Sequence, residues 1–393
     1  MAEEFYRIKR LPPYVIAEVN AMRHAARREG RDIIDLGMGN PDHPPPQHVI
    51  DKLCEVAGKP SAHGYSQSKG IPGLRRAQAN YYGRRFNVDL DPEREVVVTM
   101  GSKEGLSSMA TAIIAPGDVV LAPSPSYPIH TFGFIIAGAT IRSVPTTPDE
   151  KYWQALDNAM AYTVPRPTVL VVNYPSNPTA ETVDLAFYER LVAWAKENKV
   201  WVLSDLAYSE LYYDGKPTRS ILEVPGAKDV AVEFTSMSKT YSMAGWRMGF
   251  AVGNPELIGA LTRVKSYLDY GAFTPIQAAA CAALNGPQDI VEENRRRYQH
   301  RRDVMVEAFG RAGWDIPVPP ASMFAWAPLP PGFHNVGSLE FSKQLLEHAG
   351  VAVAAGVGYG EEGEGFVRIA MVENEQRIRQ AARNVKRFLA ERG

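Results

Sequence analysis

The sequence predicts an α/β fold, in which a large domain with a mostly parallel central sheet flanked by helices is joined to a smaller α+β domain. Three observations carry that prediction. Short runs of Val, Ile and Leu alternate with helix-periodic stretches through the middle of the chain. The runs are apolar at almost every position rather than at alternate ones, the pattern of strands buried on both faces. From Asp289 onward the character changes to one long charged helical stretch and then to short mixed pieces.

The first strand-like run is "REVVVTM" (94–100), and the helical "EGLSSMATAIIAPGD" after it is stopped by Pro116-Gly117. "DVVLAPSPSYP" reads as a strand that ends in prolines, and "TVLVVNYPSNP" (168–178) as another. Leu185, Tyr188, Val192 and Ala195 then recur at helical spacing. "KVWVLSD" (199–205), "DVAVEFTS" (229–236) and "RMGFAVG" (247–253) complete the large domain, assigned to 45–285. A helix over 289–313 opens the small domain, 286–393. "SMFAWAPL", "SLEFSKQLLEHAG", "VAVAAG", "GFVRIAMV" and a closing amphipathic helix follow it. Residues 1–44 are expected to pack against the small domain or a partner. The basic "RRRYQHRR" in the long helix has acidic neighbours and helical spacing, which predict a solvated face.

Composition narrows the function. Lys plus Arg number 43 against 44 Asp plus Glu, so a chain of net charge -1 gives no reason to expect nucleic acid or an anionic membrane as partner. The start, "MAEEFYRIKRLPP", has no apolar signal region, and no apolar run is long enough to span a bilayer. Cys54 and Cys281 form no CxxC pair, consistent with a reduced cytoplasmic setting. "GYGEEG" (358–363) matches G-x-G-x-x-G but precedes a strand rather than a helix, so it reads as a loop. "GYSQSKG" lacks the second glycine of a nucleophile elbow, and the eight histidines have no HxxxH spacing, so no metal is expected.

Ligands of open α/β sheets bind beyond the carboxyl ends of the strands. Gly101, Ser102 and Lys103 follow the first strand and open a helix, whose free N–H groups suit a phosphate. Asn177, then Asp205 with Tyr208, then Ser236, Ser238 and Lys239 follow the later ones. Each has an ordinary reading as cap, turn or core residue; their convergence on one rim does not. A partly desolvated lysine is a nucleophile toward aldehydes. With a phosphate site, a carboxylate for a ring nitrogen, and a phenol and an amide for a ring hydroxyl, the set meets the requirements of pyridoxal 5'-phosphate. Arg247 and Ser236 would neutralise and bind its phosphate.

At these residues the chain resembles the fold-type I aminotransferases of the class I/II group. "SMSKTYSMAGWRMGF" (236–250) matches that group's S-x-[ST]-K-x(5–6)-G-x-R-x-G signature, supported by "DLGMGNPD", "HGYSQSKGIPGLR", "GSKEGL", "SPSYP", "PSNPT" and "SDLAYSELYYDG". "YRIKRLPPYVI" and "KSYLDYGAFTPIQ" are most similar to bacterial glutamate–pyruvate (alanine) aminotransferases, with LL-diaminopimelate and aspartate aminotransferases as alternatives. A carbon–sulfur β-lyase and a non-catalytic cofactor sensor are weaker rivals. The resemblance implies that Lys239 bonds the cofactor covalently and that Asp205 meets the pyridine nitrogen. It implies that Tyr208 and Asn177 meet the ring oxygen and that Tyr127 stacks on the ring. Ser102, Lys103, Ser236, Ser238 and Arg247 would surround the phosphate, joined by Tyr65 from the second subunit of a homodimer. Arg368, helped by the Gly39 backbone, would clamp the α-carboxylate of amino acid and 2-oxo acid substrates, with Tyr14 or Lys103 toward the distal group. An Asn177–Pro178 cis bond is expected from the same pattern. Ala180 stands where the group usually has glycine, so the turn there is expected to differ locally.

Overall fold

The structure, a computed structural model, describes residues 5–13 and 15–392. Twelve strands are distributed over three sheets. They are β1 (Ile34–Asp35), β2 (Val96–Thr99), β3 (Val119–Ser124), β4 (Thr140–Pro145), β5 (Val169–Asn173), β6 (Trp201–Asp205), β7 (Ala231–Ser236), β8 (Gly249–Gly253), β9 (Phe324–Pro328), β10 (Val351–Ala352), β11 (Ala354–Ala355) and β12 (Phe366–Ala370). Seven of these form the large sheet in the order β2-β8-β7-β6-β5-β3-β4.

The large sheet is buried on both faces, and its sequences show why. Val96, Val98, Leu170, Val172 and Val202 enter one apolar cluster, while their strand neighbours Val97, Val169, Val171 and Leu203 enter another. Alternate residues of one strand point to opposite faces, so two covered faces require continuous apolar runs. β4 has no such run. Thr140, Arg142 and Ser143 are exposed on this edge strand, and the sequence pattern missed it.

One strand breaks the parallel order. β8 pairs antiparallel with both β2 and β7, placing Gly249 beside Thr99 and Ser236. The chain therefore enters β8 at the same rim where β2, β6 and β7 end. Gly249 is required there, because a Cβ would come within 2.8 Å of both the Ser102 nitrogen and the Thr235 carbonyl oxygen.

The C-terminal strands make a separate antiparallel sheet, β11-β12-β9, with its own core around Trp314, Phe324, Phe341 and Phe388. β1 pairs parallel with β10, and Ile34 and Leu36 join that same core. The Asp289–Gly310 helix packs along the closing Glu375–Arg392 helix. Its basic stretch is solvated as expected only in part, at Arg296 and His300. Arg301 and Arg302 are buried, Arg301 forking onto Asp42 at 2.9 and 2.7 Å and Arg302 onto Asp214 at 2.6 and 2.9 Å. Among the described residues no helix is long and apolar enough to cross a membrane.

Candidate active site

A cleft of about 230 Å³ lies at the rim of the large sheet, against one face of the β9–β12 sheet. It gathers Gly39, Ser102, Lys103, Tyr127, Asn177, Asp205, Tyr208, Ser236, Ser238, Lys239, Arg247 and Arg368, twelve of the fourteen residues that the sequence singled out. Tyr65 is elsewhere in this chain: its ring is 88% exposed and packs on Tyr270, centroids 4.5 Å apart. Tyr14 lies outside the described residues.

Local chemistry places each group. Ser236 ends β7 and caps the short Met237–Thr240 helix, accepting the Ser238 N–H at 3.2 Å. Lys239 projects from that helix, and its ammonium donates to the Gly39 carbonyl oxygen. Loss of water at the cleft floor, reinforced by the positive charges of Arg368 and Arg247, lowers its pKa to about 7. An amine in that range is partly neutral near physiological pH and can act as a nucleophile or base.

The Ser102–Ile113 helix begins at Gly101, at φ 82°, with no side chain capping it. Its first N–H groups are available to an anion. A Cβ at Gly101 would come 2.3 Å from Arg247 Nη2, so the glycine brings a helix N-terminus and a guanidinium together. Arg247 itself takes φ 54° and donates to the Ala244 carbonyl oxygen at 2.9 Å. Lys103 extends over the Tyr127 ring, 5.7 Å from its centroid, and forms no ion pair among the described residues.

Asp205 ends β6, beside Asn173 on β5 and Phe234 on β7. Its carboxylate accepts the Ala207 N–H at 3.3 Å and faces His130 Nε2 at 2.9 Å. His130 was not identified from the sequence. It stands in the first turn of the Ile129–Ala137 helix, fully buried, and its other ring nitrogen has no partner among the described residues. It lies only two residues beyond "SPSYP", at the same rim. Burial raises the Tyr127 and Tyr208 phenols, so both stay protonated donors. Asn177 Nδ2 donates to the Tyr208 oxygen at 3.4 Å.

Arg368 crosses between the two sheets. It donates to Asn177 Oδ1 at 2.9 Å and to the Gly37 carbonyl oxygen at 2.7 Å, while Phe324 packs 3.9 Å under its guanidinium. A strand arginine paired with Glu361 or Glu364 is ruled out: Glu364 instead accepts the Ser338 N–H. Buried Arg368 has no carboxylate partner among the described residues, and its Nε is unsatisfied. Gly37 and Phe324 are contributors that the sequence alone did not reveal.

The "PSNPTAE" turn keeps Asn177 in place, with a cis Asn177–Pro178 bond. Ser176 closes it from both sides, its carbonyl oxygen accepting from the Ala180 N–H at 3.0 Å and its N–H donating to Glu181 at 2.9 Å. The expected local departure does not take the form of a changed φ. Ala180 adopts φ 61°, a left-handed angle that an L-residue reaches only at a cost of about 1–2 kcal/mol.

These features set a lysine amine between an anion cradle and a buried guanidinium that has no carboxylate partner among the described residues. The profile of aminotransferase class I and II matches residues 31–385, and the chain belongs to that family of pyridoxal phosphate-dependent enzymes. It is 63% identical over 388 residues to a putative aminotransferase, AatC, of Rhizobium meliloti, covering 99% of this chain and 96% of that one. It is 51% identical to the glutamate–pyruvate aminotransferase AlaC of Escherichia coli, covering 97% and 93%. An LL-diaminopimelate aminotransferase of Moorella thermoacetica is 43% identical, with 98% of each chain covered. Among solved structures, substrate-bound BacF from Bacillus subtilis superposes with a TM-score of 0.91 at 34% identity, covering 98% of both chains.

Proposed function

We propose that this aminotransferase holds pyridoxal 5'-phosphate on Lys239 and moves amino groups between alanine and 2-oxoglutarate, giving pyruvate and glutamate. The observation that supports it best is the cleft's division of charge. A neutral-prone amine stands between an anion cradle at Gly101–Arg247 and a buried guanidinium at Arg368 that has no carboxylate partner among the described residues. The residues fit the cofactor: Ser102, Ser236, Ser238 and Arg247 suit its phosphate, Asp205 its ring nitrogen, Tyr208 and Asn177 its ring oxygen, and Tyr127 its face. When bound, the cofactor supplies an electron sink for the carbon that loses its proton.

The chain's own groups do the rest. Arg368 forks onto the substrate α-carboxylate and orients the α-carbon. Lys239, whose amine is near neutral at physiological pH, would act as the base that takes the substrate's α-proton and as the acid that gives it back. Asp205, held beside His130 Nε2 at 2.9 Å, would pair with the ring nitrogen. Lys103, a cation with no ion pair among the described residues, is assigned to the distal carboxylate of glutamate and 2-oxoglutarate, which alanine and pyruvate lack. In this reading 45–285 is the cofactor domain, and 286–393 is the smaller domain that brings Arg368.

The same reading makes the active unit a homodimer. Tyr65, Tyr267, Leu268, Tyr270 and Phe273 are all exposed, an aromatic surface of the kind that protein partners cover. Tyr65 on it would reach the partner's phosphate. The deciding measurement sets alanine with 2-oxoglutarate against aspartate and LL-diaminopimelate as donors. Alanine should have the highest kcat/KM; a preference of tenfold or more for either rival overturns the substrate assignment while leaving the transaminase class intact.

A further inference from the structure

Lys265, on the Pro255–Leu268 helix, is fully buried and outside the cleft. A buried ammonium is costly unless paired, and this one is paired twice. Its Nζ lies 3.2 Å from both oxygens of Glu104 and 2.9 Å from Asp269 Oδ2. Glu104 is in the first turn of the Ser102–Ile113 helix, next to Lys103 and two residues beyond Ser102 in the cradle. It reaches back to accept the Met100 N–H at 2.8 Å and accepts the Ser108 hydroxyl at 2.7 Å. An acid in a first turn is favourable for the helix. Here it brings a negative charge to the helix end that must also receive a phosphate.

We propose that Lys265 is a positioning residue for the cofactor's phosphate. It offsets the charge of Glu104, so this carboxylate can fasten the helix start without repelling the anion bound there. Lys265 touches neither cofactor nor substrate and acts only through Glu104. The inference rests on the cofactor reading above.

The test compares, in the full-length protein freed of cofactor, affinity for pyridoxal phosphate, for pyridoxal and for inorganic phosphate. Lys265→Met should weaken pyridoxal phosphate and inorganic phosphate at least tenfold, while pyridoxal, which has no phosphate, changes less than twofold. Adding Glu104→Gln to Lys265→Met should restore most of the phosphate affinity. Glu104→Gln alone keeps an acceptor for the Met100 N–H and should bind phosphate at least as tightly as wild type. Equal loss for pyridoxal and its phosphate, or failure of Glu104→Gln to restore binding, would make Lys265 merely structural. Should Lys265→Met not fold, weakened phosphate binding by Glu104→Gln alone overturns the proposal by itself. If wild type binds no pyridoxal phosphate, the cofactor reading fails first, and the two outcomes remain distinct.

Discussion

The two ends of the cleft are built in opposite ways. The cofactor end is a row of consecutive strand ends in one sheet: Gly101 after β2, Asp205 at β6, Ser236 to Lys239 after β7, and Arg247 before β8. The substrate end is assembled across sheets. Arg368 on β12 bonds Asn177, 191 residues away, and Gly37, 331 residues away. One end is fixed by the ladder of a single sheet, whereas the other exists only when two sheets and the N-terminal segment are packed together. Damage to the first should stop the chemistry, and damage to the second should weaken the grip on substrate.

Lys239→Met should show the largest effect, lowering kcat by roughly four orders of magnitude, the upper range for losing a positioned proton-transfer group. The same variant tests burial. Below about pH 7 the cofactor-free protein must hold a charged amine in a dry site, whereas the unfolded chain solvates it up to pH 10.5. Replacement by Met should therefore stabilise the cofactor-free protein most below about pH 7, with the gain fading as pH rises toward 10.5. Denaturant titrations across that range check the sign.

At the other end, Arg368→Lys keeps the charge and loses the fork. Alanine, glutamate, pyruvate and 2-oxoglutarate should all weaken by about 1.5–3 kcal/mol, with cofactor absorbance unchanged. Loss confined to the dicarboxylic substrates would reverse the orientation of substrate in the cleft.

Lys103→Gln sharpens the boundary between the ends. Glutamate and 2-oxoglutarate should lose roughly tenfold in kcat/KM, as for one charged hydrogen bond, with alanine and pyruvate within about twofold. A uniform loss with weaker cofactor binding would place Lys103 on the phosphate instead.

The smallest effect is expected at the turn that supports Asn177. Ala180→Gly removes the left-handed penalty but frees the unfolded chain, a net stabilisation of about 0.5–1 kcal/mol. A fall in thermal midpoint would show that the buried Ala180 methyl contributes more by packing than its φ angle costs.

Legibility in the sequence follows the same division. The cofactor end was readable because continuous apolar runs mark strands buried on both faces, and strand ends mark the rim. What the runs could not disclose is direction, so β8 gave no sign of running backward. Val367 and Ile369 identify β12 as a strand, but neither says which sheet Arg368 faces. The buried arginine pairs were hidden for a similar reason: Asp42 is 259 residues from Arg301, and Asp214 is 88 from Arg302. His130 gave no such signal because it stands six residues past the end of β3, inside the helix that follows.

The reversed strand has a consequence for what the chain can tolerate. Because β8 sets out from the rim that β7 has just reached, the amine of Lys239 and the guanidinium of Arg247 are separated by a short stretch of chain pinned at both ends. The pairing of Ser236 with Gly249 in the sheet register fixes both ends of that span at once. The segment works as a caliper, its length setting the gap between covalent anchor and anion clamp. A single inserted residue within 240–246 would either open that gap or slip β8 by one position and turn its buried faces over. The loop joining β4 to the helix at Glu150 spans no such pair. Length variation can therefore accumulate there while the anchor–clamp segment keeps its count.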